Sequence, residues 1–134
     1  MSDALSPLTY LAKAAAALSG ARLLLHSADA DGACSRAYYA MFDAAHAALF
    51  ALGVEQKTAP IKTHTMLVGR FGQYVVLAGH LPATYGETLN RVQRFRQIAD
   101  CSGDPVSVEN AEWAVEQAEA FVAAVRSLIS GLKR

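Results

Sequence analysis

The stretch SVENAEWAVEQAEAFVAAVRSLISGL, Ser107–Leu132, carries the clearest periodicity in the chain. Val108, Ala111, Ala114, Val115, Ala118, Phe121, Val122, Val125, Leu128, Ile129 and Leu132 recur every three or four positions, the pattern of one apolar stripe on a helix. Ser107 is a good N-cap, Glu109 suits the first turn, and Glu112, Glu116, Glu119 and Arg126 fall largely outside the stripe. Trp113 lies at the border of the stripe, where it either packs in a dimer interface or covers the core.

Working back from this helix, the same spacing recurs and no period-2 strand stands out. A first helix is predicted from about residue 5 to Ser27, ending at the turn formers Asp29 to Gly32. A second runs from about Ala33 to Leu52, with Gly53 as C-terminal cap. Ile61 to about Ala78 forms a third, weakened by Gly69 and Gly72. Pro82 opens a fourth that runs to about Asp100, and Gly103 and Pro105 follow it. The expected fold class is all-α: an up-and-down bundle of about five helices in a single domain over residues 1–134.

The chain has 134 residues, 12 basic and 12 acidic, so its formal net charge is zero. That balance disfavours a broad cationic surface of the kind that tracks nucleic-acid backbone. Two distant cysteines, Cys34 and Cys101, suggest neither a zinc ribbon nor a disulfide framework. The N-terminus does not resemble a signal peptide, and no apolar run of about 18 residues is free of charge, so the expectation is a cytoplasmic protein without a membrane partner. No P-loop, dinucleotide fingerprint, H-E-x-x-H or G-x-S-x-G motif is present, and no cofactor is expected.

Chemistry concentrates on the second helix. In SRAYYAMFDAAHAALF, residues 35–50, Arg36, Tyr39, Asp43, His46 and Phe50 follow one line of the helix, while Tyr38, Met41, Phe42 and Leu49 take other faces and are expected to pack the bundle. Such a strip is commonly the solvated face of a bundle helix. Its aromatic content and lack of Lys or Glu suit a cleft or a subunit interface better. Asp43 and His46 have no third ligand at metal-binding spacing, so no metal is expected.

On the fourth helix, Arg96 falls inside the apolar arc of Tyr85, Leu89, Val92, Phe95 and Ala99. An arginine so placed needs a partner. Asp100 offers a structural ion pair, and Arg96 with Arg36 offers an anion or phosphate site. His26 suits a helix C-terminus and His80 a loop, whereas His64, near the start of the third helix, is the better candidate for chemistry or phosphate binding.

Ser35-Arg36-Ala37-Tyr38-Tyr39-Ala40, Lys62-Thr63-His64 and Arg96-Gln97-Ile98-Ala99-Asp100, before a final amphipathic helix, together resemble the HEPN superfamily. The likeness is to its small prokaryotic branch with S-R-x-Y-Y-A and R-x-x-A-D-Y-like elements. The resemblance implies a helical homodimer with polar residues facing a shared cleft. It also implies RNA or nucleotide binding, in many members as a metal-independent ribonuclease toxin paired with a nucleotidyltransferase antitoxin, and in others as a non-catalytic interaction module. The nuclease members carry an arginine separated from a following histidine by four to six intervening residues. This chain has no such spacing: Arg22 to His26 is one residue too close, and the expected place holds Arg96-x-x-x-Asp100. Cys101 stands where the branch usually has tyrosine.

On that resemblance, Arg96, Asp100 and His64 are the candidate catalytic residues and Arg36, Tyr39, Asp43 and His46 the candidate binding residues. Metal-free RNA cleavage requires a base for the 2′-hydroxyl and cations for the phosphorane. A carboxylate beside Arg96 is a poor base, so His64, or His46 across a dimer cleft, is chemically preferable.

Overall fold

The structure, a computed structural model, describes residues 6–54, 58 and 60–132, with the side chains of residues 100–102 outside the description. Among the described residues there are five α-helices and no strand: α1 (Pro7–His26), α2 (Ala30–Ala51), α3 (His64–Phe71), α4 (Ala83–Ser102) and α5 (Val108–Leu132). The all-α bundle expected from periodicity is the observed architecture.

Local chemistry sets the helix ends. Ser6 caps α1 by accepting from the Thr9 N–H, and Pro7 occupies the first turn, where its missing donor costs nothing. Asp29 caps α2 by accepting from the Gly32 N–H at 2.9 Å. This cap starts α2 at Ala30, three residues before the predicted Ala33: Asp31 and Gly32 are the helix's first turn and not part of the connection. The reversal is made by Ala28 instead, in the left-handed region at φ 64°. Gly53 ends α2 at φ 72°, as predicted.

The predicted third helix divides. Thr63 caps α3 at the Met66 N–H, and after Phe71 the chain widens into a π-helical turn, Gly72–Val76, marked by the Leu77 N–H bonding the Gly72 carbonyl at 2.9 Å. The two glycines that weakened the prediction flank this change. Pro82 caps α4 from outside, and the helix continues two residues beyond Asp100 to Ser102, ending at Gly103 with φ 78°. The Ser107 hydroxyl accepts from the Asn110 N–H at 3.0 Å and caps α5 as expected.

α2 is the central element, packed most extensively on α1 and α5 and also touched by α3, the π turn and α4. Its contact face is built of small residues: Ala33, Ala37, Ala40, Ala44, Ala45, Ala47 and Ala48 are fully buried, facing Ala14, Ala17 and Ala21 of α1 and Ala111, Ala114 and Ala118 of α5. Alanines let helix axes approach closely, which fixes the register between them. Larger side chains fill the periphery, with Phe71 against Phe121 at 5.1 Å and Phe95 against Trp113 at 5.9 Å. Trp113 thus covers the α4–α5 junction, with the Arg91 guanidinium 4.9 Å from its ring.

By length and composition α1 could cross a membrane, because Lys13 and Arg22 are too few to disqualify it. In the bundle its Leu11, Ala14, Ala17, Leu18 and Ala21 lie instead against α2 and α5. Arg22 of α1 pairs with Glu119 of α5 at 2.6 Å, an exposed contact worth about 0–1 kcal/mol. The Val106 N–H donates to Asp31 at 2.7 Å, tying the α4–α5 connection to the start of α2.

Because Ala44 is fully buried in this alanine seam, Ala44→Val should destabilise the protein by about 1–3 kcal/mol in urea unfolding, through overpacking. The same chemistry on the exposed face of α1, Ala16→Val, should change stability by no more than about 0.5 kcal/mol.

Candidate functional site

α2, α3 and α4 meet at a cluster of rings. Tyr38 and Tyr39 project from α2, His64 is the first residue of α3, and Arg96 comes from the buried side of α4. The Tyr38 hydroxyl and His64 Nδ1 are 2.8 Å apart, and their rings stack with centroids 5.3 Å apart. The Arg96 guanidinium lies 5.0 Å from the Tyr38 ring and 5.8 Å from the Tyr39 ring. Tyr39 meets His64 edge-on at 6.0 Å, and Phe42 packs on His64 at 4.6 Å.

Tyr38 is the residue that sequence reasoning misplaced. It was expected only to fill the core, and it is indeed fully buried. Yet its hydroxyl reaches His64, so it belongs to core and site at once. The available signal was chemical: a buried tyrosine hydroxyl must find a hydrogen-bond partner. Burial pushes the Tyr38 hydroxyl up to about 12, against the pull of Arg96, so it remains protonated at neutral pH.

The strip predicted on α2 is not a solvated face. Arg36 is exposed, Tyr39 half-buried, and Asp43 and His46 are each only 9 % exposed. The strip descends under α1. There Tyr10 stacks on His46 at 4.9 Å while Phe42 meets the other side at 5.0 Å, and Lys13 lies over Tyr10 at 5.8 Å. Burial raises the Asp43 carboxyl, partly offset by Lys13 and Arg36, and burial, Lys13 and His64 all lower the His46 imidazole. His46 Nδ1 is buried and meets no hydrogen-bond partner among the described residues. Enclosed between two rings, His46 is poorly placed to meet a ligand.

His64 is half-buried, and its pKa is lowered first by desolvation and then by Arg96. A neutral imidazole at physiological pH follows. Arg96 therefore has three effects: it places a cation beside the histidine, holds that histidine neutral, and rests on both tyrosine rings.

Arg36 and Arg96, expected to share an anion site, make different contacts within the chain. Arg96 sits on Tyr38 and Tyr39, whereas the Arg36 side chain lies across α1, its Nε 3.5 Å from where a Cβ on Gly20 would stand. Of the other candidates, Asp100 follows Arg96 on α4, and its side chain lies outside the described residues. His64, Tyr39 and Arg96 are brought together; Asp43 and His46 form the adjoining buried patch. His26 and His80 are exposed, away from the site.

An all-α bundle is the fold that the resemblance to HEPN proteins implies. The HEPN domain family model matches residues 8–128, and the chain belongs to that family. Its relatives include a UPF0332 protein of Gloeobacter violaceus, 33% identical over 112 residues that cover 82% of this chain and 85% of the relative. Another, from Methanocaldococcus jannaschii, bears the name "Putative toxin" and is 31% identical, covering 84% of this chain and 80% of its own. A UPF0332 protein of Thermotoga maritima is also 31% identical, over 87% of this chain and 86% of its own.

Two outcomes test this electrostatic picture. In a proton NMR titration, His64 should protonate below the ordinary imidazole value of 6.5, and Arg96→Gln should move it upward by removing the neighbouring cation. Because the folded values of His46 and His64 are lowered, the unfolded chain binds more protons, so unfolding free energy should fall as pH drops through and below 6.5. Tyr38→Phe, which deletes only the hydroxyl, should keep the fold and cost about 1 kcal/mol in chemical denaturation.

Proposed function

We propose that this protein is an RNA-directed, toxin-type HEPN protein that cleaves RNA without a metal, with His64 as base and Arg96 as the stabilising cation. The single observation that carries this reading is the grouping of His64, hydrogen-bonded to Tyr38, with Arg96 across the same tyrosine ring. The name of the Methanocaldococcus jannaschii relative supports the toxin half.

The chemistry follows from the two tautomers of His64. With Nδ1 protonated, the ring donates to the Tyr38 oxygen and Nε2 presents a lone pair. Nε2 takes the 2′-hydroxyl proton, the 2′-oxygen attacks the adjacent phosphorus, and the bond to the 5′-oxygen breaks after Arg96 has stabilised the charged phosphorane. The products are a 2′,3′-cyclic phosphate and a 5′-hydroxyl, the latter protonated from the imidazolium or through water. In the other tautomer Tyr38 donates to Nδ1, and the Nε2 proton binds a phosphate oxygen, which gives binding without base catalysis.

The usual spacing of arginine and histidine on one helix is replaced here by residues from two helices, α4 and α3. Two copies placing these sites in a shared cleft, held silent by a nucleotidyltransferase-type partner, complete the proposal. A non-catalytic interaction module is the second reading, favoured by the missing arginine-to-histidine spacing.

Expression of the protein alone should arrest growth and fragment cellular RNA, leaving 5′-hydroxyl ends that a kinase labels directly and cyclic-phosphate ends that resist ligation at the 3′ side. His64→Ala and Arg96→Ala should each lower cleavage of purified RNA by at least about 100-fold, the range of a lost general base or phosphorane cation. Intact RNA with the wild-type protein, at unchanged growth, would leave only the non-catalytic module.

A further inference from the structure

Beside the His64 and Arg96 cluster, α3 and α4 diverge to leave a cleft of about 580 Å³ that the proposed chemistry does not use. It is continuous in sequence with the cluster on both walls. Thr65 directly follows His64, and Gln97 directly follows Arg96. Val68, one turn beyond His64 on the same face of α3, gives the cleft an apolar patch. From α4 come Asn90, Gln93 and Glu87, with Gln93 only 8 % exposed although it is polar.

The chemistry of this lining is selective. Its volume is in the range of about 300–1,000 Å³ that encloses small organic groups. Carboxamides carry a donor and an acceptor side by side, the pattern that reads the edge of a nucleobase. Glu87 only accepts when ionised, so it favours an amino group and repels a phosphate or a carbonyl oxygen. The cleft itself carries the charges of Glu87 and Arg94 beside the carboxamides of Asn90, Gln93 and Gln97, and its two walls adjoin His64 and Arg96 in sequence.

We propose that this cleft binds the nucleobase flanking the phosphate held at His64 and Arg96, and that it selects adenine and cytosine, which present a 6- or 4-amino group to Glu87, over uracil, which presents a carbonyl oxygen there. The inference rests on the RNA-directed reading of the site and adds its base preference. Val68 takes the face of the base, Asn90 and Gln97 bond its edge, Glu87 accepts from the amino group, and buried Gln93 fixes the depth. Arg94 at the same cleft remains available to the next phosphate.

The test is equilibrium binding of fluorescent 2′-O-methyl hexamers of A, C and U, which lack the nucleophile and cannot be consumed by cleavage. The full-length wild-type protein should bind the A or C hexamer about tenfold or more tighter than the U hexamer, the discrimination of one good base-edge pairing. Glu87→Gln and Asn90→Ala, both at exposed positions, should retain the wild-type melting temperature and bring the hexamers to within about twofold of one another. Arg96→Gln should weaken all hexamers alike. Equal wild-type affinity for the three, unchanged in the cleft variants, overturns the base-reading cleft and leaves RNA binding standing. Loss of a protein partner, and not of base preference, in Glu87→Gln and Asn90→Ala also overturns it. No binding to any hexamer, together with intact RNA in the cleavage assay, overturns the RNA-directed reading itself.

Discussion

Enclosure of α2 is the constraint on which the rest of the structure depends. A helix packed against α1, α5, α3 and α4 has little open face left, so each polar side chain on it must find a partner or remain neutral. Alanines make the enclosure possible by allowing close approach. The larger groups, Tyr38, Tyr39, Phe42 and His46, then emerge where α1, α3 and α4 diverge from one another. The site is thus a product of the same packing that forms the core.

The chain of rings from Tyr10 through His46, Phe42 and His64 to Tyr38 and Arg96 links the two ends of this arrangement. Along it, burial and nearby cations act in one direction on both histidines and hold them neutral. Their access differs. His46 is held between rings beneath α1 and nearly covered, whereas His64 begins a short helix and is only half-buried. That difference is why the proposed chemistry is placed on His64 and not on His46. The raised Tyr38 hydroxyl serves as a fixed hydrogen-bonding group, because it does not ionise in the range where the histidines titrate.

Family membership and site geometry fit together despite the missing motif. Catalytic groups are defined by where their atoms lie, and a cation and an imidazole from neighbouring helices can meet as closely as two from one helix. Asp100 follows Arg96 on α4 where the resemblance would place a histidine, and His64 stands at the start of α3. Arg36, although it lies in the most distinctive part of the sequence, turned across Gly20 of α1 and away from this meeting point.

How much was legible in advance follows from which forces act locally. Helix type and order were readable because apolar period, caps and glycine stops are properties of short segments: Ser107 and Gly53 act where the sequence put them, and Pro82 stands one position outside the first turn expected for it. Boundaries shifted where a side-chain cap outcompeted turn propensity, as at Asp29, or where glycines allowed a π turn after Phe71. The candidate residues Arg96, His64 and Tyr39 were readable as chemical types. Their convergence was not, since α2, α3 and α4 bring together positions as far apart in sequence as Tyr39 and Arg96. By itself the sequence determined an all-α HEPN chain and the residues available for chemistry. Only the tertiary structure decided that Tyr38 joins the site, that Arg36 leaves it and that Asp43 and His46 are covered, because burial and proximity arise when whole helices pack.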